Sequence, residues 1–221
     1  IEQATPAAIL ACADETRPLD PKAARAHYRQ LLDEYPDHPL AARAERGLVK
    51  ARQAIELEKV RELVRPPFPD VPDYCDNPAP YSAAPPYRGK GPHRAMLFGN
   101  DHEQTFPKSW RADDVADAVL IICAGEADYG TAVETCPYES EISVTGAVDV
   151  TFHRKRVPIR VFEVRTGRLV TETNVEIDGA GCPEVLEYET YLPHDLGPPS
   201  QVYVDPSRSD VRKAYASVIR P

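Results

Sequence analysis

No run of about 18 consecutive apolar residues occurs anywhere in the 221 residues, so no segment reads as a membrane-spanning helix. No CxxC pair is present, and no histidine stands at ligand spacing from a cysteine, which argues against a zinc site. The phosphate-cradling GxGxxG and P-loop patterns are missing, as are the HExxH metal motif and the GxSxG nucleophile elbow around Ser109, Ser140, Ser143 and Ser207. Positive charge is in deficit: 26 Lys and Arg face 35 Asp and Glu, for a net charge of −9. That disfavours a general binder of nucleic acid or anionic membrane, because phosphate binding rests on basic surface. These absences point to a chain that is not an enzyme and needs no cofactor or metal.

Proline is what the sequence has in excess, with 23 residues. Many cluster between Pro66 and Pro92, where their density excludes helix and central strand. This stretch is expected to be extended, either as a solvated linker or as a belt lying along the surface of the sheet domain, pinned by Tyr74, Tyr81, Tyr87 and Cys75. It divides the chain into a helical region (1–65), the belt (66–92) and a sheet region (93–221).

The helical region carries start signals. Thr5-Pro6 and Asp20-Pro21 each pair an N-cap residue with a proline suited to the first helical position. They predict a short helix over about 6–14 and a second from Lys22 that stops at Pro36. In the second, Ala24, Tyr28, Leu31 and Tyr35 share a face. A third helix begins after His38-Pro39, with a stripe of Leu40, Ala44, Leu48, Ala51, Ile55 and Val60. The last two helices form an antiparallel αα-hairpin. Ile9-Leu10-Ala11-Cys12 faintly resembles a bacterial lipobox, but IEQATPAA supplies neither a basic nor an apolar lead; Cys12 reads as a small residue in an apolar helix. The first residue is Ile1, so the chain is expected to be a mature or excised product. Any membrane attachment would lie in what precedes it.

In the sheet region, Arg94 to Phe98 reads as a short strand. DAVLIIC (Asp117–Cys123) reads as a central strand covered on both faces. Residues 124–140 are expected to be a polar loop. From 142 to 153, Val144, Val148, Val150 and Phe152 alternate. A hairpin over Val157–Ile177 turns at Arg165-Thr166-Gly167-Arg168, where Gly167 can take positive φ. A two-residue loop would place Phe162, Val164, Leu169 and Thr171 on a greasy face. Val161, Glu163, Val170 and Glu172 would share a mixed one, a conceivable ligand face. Val202–Val204 is expected as an edge strand. A closing helix, VRKAYASVI, is expected to be capped at Ser209-Asp210, with Val211, Ala214, Tyr215 and Val218 on one face. The fold class is therefore α+β: an N-terminal antiparallel helical hairpin, then a mainly antiparallel sheet with a C-terminal helix.

The helical hairpin resembles a tetratricopeptide repeat of bacterial envelope proteins. Tyr28, Leu31, Leu32, Tyr35-Pro36, Ala41, Ala44, Gly47-Leu48 and Ala51 carry the resemblance, which covers about one repeat from Lys22 to Leu57. It implies a helical protein-binding element, and one repeat needs neighbours to bury its faces. Arg165, Thr166, Gly167 and Gly179 resemble sheet regions of some bacterial envelope lipoproteins. The Ala, Arg and Pro bias resembles C-terminal domains of exported proteins from high-GC bacteria.

Cys75, Cys123, Cys136 and Cys182 are disulfide candidates that allow three pairings. An up-and-down meander favours Cys123–Cys136 with Cys75–Cys182, and with it an oxidising, extracytoplasmic compartment. Four free thiols in a cytoplasmic protein are the alternative. Asp101-His102-Glu103 is the densest titratable cluster and reads as a solvated loop. His27, His38, His93, His153 and His194 are scattered. The one basic patch, Arg154, Lys155, Arg156, Arg160, Arg165 and Arg168, beside His153, reads as a charged turn and strand rim. The function expected is a protein-interaction or scaffolding module of a larger extracytoplasmic bacterial protein, with a protein partner and no nucleic acid. The alternative is a ligand-sensing or regulatory domain of a larger enzyme or transport system. A sensor should show a concave pocket with convergent polar groups, and a scaffold an apolar groove on its helices.

Overall fold

The computed structural model describes residues 4–65, 71–140, 144–188 and 197–220. Pro66–Asp70 of the proline-rich stretch, Ile142, Ser143 and His194 lie outside the described residues. Among the described residues the chain forms four α-helices and a six-stranded, mostly antiparallel sheet, the α+β class expected. It divides into two compact units. One comprises Ile1–Pro85 with Asp114–Asp117 and Val164–Arg168; the other comprises Pro86–Asp113, Ala118–Glu163 and Leu169–Pro221.

The first unit holds α1 (Pro6–Thr16), α2 (Pro21–Glu34) and α3 (Ala41–Val64). The Thr5 hydroxyl accepts from the Ala8 N–H and the Asp20 carboxylate from the Ala23 N–H, so both Thr-Pro and Asp-Pro cap their helices as expected. Ile9, Leu10 and Ala13 of α1 pack with Ala24, Tyr28 and Leu31 of α2 and Ala44 and Ala51 of α3. Small residues on α3 let the large Tyr28 ring in. A Cβ added at Gly47 would land on that ring.

The belt that follows is fixed to this unit. Tyr74 and Cys75 are fully buried, as are Ala79 and Ala84. Glu56 of α3 accepts from the Ser82 N–H (2.9 Å) and hydroxyl (2.5 Å), and Arg61 holds Asp114 through two bonds of 3.0 and 2.8 Å. The Tyr81 N–H donates to the Val164 carbonyl at 2.9 Å. The described part of the stretch up to Pro85 is thus held as a belt, but on the helical unit and not along the sheet domain as expected.

The second unit is organised on one long strand. β4 runs from Ala147 to Glu163, 17 residues. β1 (Ala95–Phe98) pairs in parallel with β2 (Leu120–Ala124), which pairs antiparallel with β4 from Glu163 to Ile159. β3 (Asp128–Glu139) continues along β4 from Arg156 to Ala147, also antiparallel. β5 (Arg168–Ile177) and the short parallel β6 (Gln201–Tyr203) pair with β4 as well. All five residues of β2 are buried, as its unbroken apolar run predicts. The core joins Leu120, Ile122, Val157, Ile159, Val161, Val175 and Ile177 to Phe106, Trp110 and helix α4 (Arg208–Ile219). Val211, Tyr215 and Val218 of α4 are buried in it, as their spacing predicts.

Four further expectations need correction. Residues 124–140 are not a loop, since they contain the 12-residue strand β3. Its Gly130 and Pro137 are tolerated because β3 ends the sheet order, its register shifts between Tyr129 and Glu134, and an edge strand can spare a donor. The basic run His153–Arg156 is not a turn but the middle of β4. Third, the hairpin turns through four residues, 164–167, rather than two. Odd-numbered residues of both strands (Val161 of β4, Val175 and Ile177 of β5) lie in the main core, whereas the expected two-residue loop put Val161 on the mixed face. Val161 is fully buried, while Leu169 is 49% exposed. Gly167 does take positive φ, +66°. Fourth, the cap of α4 is Ser207, in a capping box with Asp210, not Ser209.

Candidate functional site: a cationic concavity on the helical unit

Asp14, at the last turn of α1, ties the three helices together. It accepts from the Tyr28 hydroxyl of α2 (2.6 Å) and from the Arg43 guanidinium of α3 (2.6 Å). The Tyr28 bond, then the charge of Arg43, holds its carboxyl below the ordinary range against the opposing effect of burial. Tyr28 is pushed the other way, chiefly by burial and next by its bond to Asp14.

Around this hub lies an open cavity of about 410 Å³, lined by Asp14, Arg17, Arg43, Arg46, Gly47 and Lys50. Arg43, Arg46 and Lys50 stand at i, i+3 and i+7 on α3, so they share one helix face. Arg17 caps the C-terminal end of α1 and approaches the same hollow. Four cations therefore face one carboxylate, which Tyr28 and Arg43 already occupy. Among the described residues Arg46 and Lys50 form no ion pair, and the Arg17 Nε is buried without a hydrogen-bond partner. Gly47, on the cavity wall, is where Tyr28 packs. One small residue thus serves both core and cavity.

The second unit has a larger open hollow of about 670 Å³ beside the Cys136–Cys182 disulfide, with Tyr138, Val185, Leu186 and Tyr188 on its walls. Cys136–Cys182 replaces the expected pairings Cys123–Cys136 and Cys75–Cys182. Two mistaken premises account for the difference. Cys136 lies inside β3, opposite Val150, not in a loop after β2. β4 also outruns the 10-residue β5, so the chain leaving β5 turns along β4, where Gly181 sits against Phe152 and Cys182 reaches Cys136. Cys75 and Cys123 are disulfide-bonded too, and Cys12 is free and exposed. All four candidates are thus oxidised, which suggests an oxidising environment. Glu134 lies beside the two sulfurs of the Cys136 bridge, but bonded sulfurs offer no thiolate to a metal.

The basic residues picked out in the sequence are dispersed. Along β4, Arg154 and Arg156 point to one side of the sheet and Lys155 to the other. Arg154 meets Asp178 (3.1 Å) and Glu176 (3.8 Å), and Arg156 meets Asp128 (2.7 Å). Lys155 lies 5.9 Å from the centre of the Tyr203 ring. Arg160 stands opposite Cys123 in the register with β2. Arg165 donates to the Ala84 carbonyl, and Arg168 opens β5; both belong to the helical unit's cluster.

Of Asp101-His102-Glu103, the last two open a short 3₁₀ turn, His102–Thr105, and Asp101 precedes it, exposed. His102 is only 8% exposed and its Nε2 lacks a partner among the described residues. Burial, then the charge of Lys155, pulls its pKa down, and burial pushes Glu103 up.

Arg17, Arg43, Arg46 and Lys50 were not singled out from the sequence. A signal was present: three cations at i, i+3, i+7 on a helix of an acidic chain, with glycine among them. Comparison of the chain with protein-family models, curated proteins and solved structures finds no match.

Proposed function

We propose that this chain is a non-enzymatic recognition module of a larger extracytoplasmic protein. In this reading the tetratricopeptide-like helical unit is the part that binds. The observation that carries the proposal is the cavity on α1 and α3, with polar groups converging on one hollow from two helices. Such a pocket fits ligand sensing better than an apolar docking groove. The scaffolding reading keeps one support: Val49 on α3 and Leu19 before α2 expose apolar side chains, at 51% and 87%.

A thermal-shift panel on the oxidised chain tests the proposal, using small anions, cations and neutral sugars at matched ionic strength. Only anionic members are expected to raise the melting temperature. A panel in which none does, or in which cations do, would contradict it.

A further inference from the structure

Resting on that recognition reading, we infer that the α1–α3 cavity is a binding site for a soluble ester bearing a diphosphate group. Three features of the site point to this chemistry. The first is charge: Arg17, Arg43, Arg46 and Lys50 leave three positive charges in excess after Asp14 is counted. Concentrating them on one face of a chain with net charge −9 costs repulsion that a bound anion relieves. A dicarboxylate brings two negative charges, whereas a diphosphate brings close to the three the site has spare.

The second feature is span. Arg46 and Lys50, the α3 cations outside the Asp14 pair, stand about 6 Å apart along the helix at the usual rise, a spacing suited to two linked phosphates. The third is donor chemistry. Arginine forks match phosphoryl oxygens in pairs, and the Arg17 Nε is a desolvated donor with no hydrogen-bond partner among the described residues. Arg17 also acts on the Tyr28 phenol and on Asp14, so its guanidinium is held at the edge of the hollow while its Nε stays unpaired. The cavity, about 410 Å³, exceeds a diphosphate alone, leaving room for an organic group. Five of its six lining residues are charged and the sixth is Gly47, which suits a soluble ester rather than a lipid tail.

Isothermal titration of the oxidised 221-residue chain with inorganic pyrophosphate, uridine diphosphate and succinate, at fixed ionic strength, tests this. Both diphosphates are expected to bind and succinate to bind at least about tenfold more weakly. The double variant Arg46→Glu, Lys50→Glu changes two exposed residues, and circular dichroism checks that its helices persist. It should lose diphosphate binding by at least about tenfold. Arg29→Glu, an exposed charge reversal on α2 outside the cavity, should stay within about twofold, separating a site effect from net charge. Three results would overturn the inference: succinate binding as tightly as pyrophosphate, equal losses in Arg29→Glu and the double variant, or binding only to anionic vesicles. In the first case, sensitivity to Arg46→Glu, Lys50→Glu would leave the recognition reading standing. Silence from every anion would remove both.

Discussion

Replacing Asp14 by Asn should loosen the helical unit by a calculable amount. The carboxylate receives a charge-assisted bond from the fully buried Tyr28, worth about 1.5–3 kcal/mol. Its pair with Arg43, whose side chain is 61% exposed, adds about 0–1 kcal/mol. The amide keeps an acceptor for Tyr28 but not the charge, so Asp14→Asn is expected to cost about 1–2 kcal/mol. Tyr28→Phe should cost a similar amount, and the double variant less than the sum, because the two groups share one bond. The pH dependence has a definite sign. The folded carboxyl titrates below its ordinary value of 3.8, so its contribution is present above that pH and fades as pH falls through the folded value. The gap between wild type and Asp14→Asn should thus close below about pH 4. Urea unfolding followed by circular dichroism at 222 nm, at pH 7 and pH 3.5, measures this. Additive single costs, or a gap that widens in acid, would refute the hub assigned to Asp14.

Gly47→Ala should destabilise the helical unit despite alanine's better helix propensity, worth about 1 kcal/mol, because its Cβ would meet the Tyr28 ring; overpacking of about 1–3 kcal/mol is expected to win in a urea melt. Cys136→Ala with Cys182→Ala opens a closure of 46 residues, for which chain entropy sets a loss of about 4 kcal/mol, read from guanidinium unfolding of the sheet. Thiol titration of unreduced, denatured protein should find one reactive thiol, that of Cys12; five would remove the oxidising compartment. His102 binds its proton less readily folded than unfolded. The sheet unit should therefore lose stability as pH falls below about 6.5, and His102→Phe should flatten that slope in melts between pH 7 and pH 5.

Elements whose causes are local were legible in the sequence. Thr5-Pro6 and Asp20-Pro21 start helices through their own caps and ring geometry, and Leu120–Ala124 is apolar enough to be central whatever surrounds it. β3 was hidden because its sequence, with Gly130, Pro137 and several carboxylates, satisfies loop chemistry; only pairing along β4 makes it a strand. β4 was read as two pieces because four charged or polar residues, His153–Arg156, interrupt its apolar alternation, and the ion pairs that accommodate Arg154 and Arg156 come from segments far along the chain. The disulfide error followed from both. The cavity cations were hidden for another reason. Arg17 reaches Arg43, Arg46 and Lys50 only when α1 folds against α3, and a helix face of exposed cations reads as ordinary solvated surface until that happens.

Hydrogen–deuterium exchange of the oxidised chain, with and without saturating pyrophosphate, would show directly which unit does the recognising. Protection is predicted in peptides covering the end of α1 around Arg17 and the α3 segment from Arg43 to Ala51, with β4 and β5 unchanged. Protection confined to the sheet, or to the hollow beside Cys136–Cys182, would contradict a binding site on the helical unit.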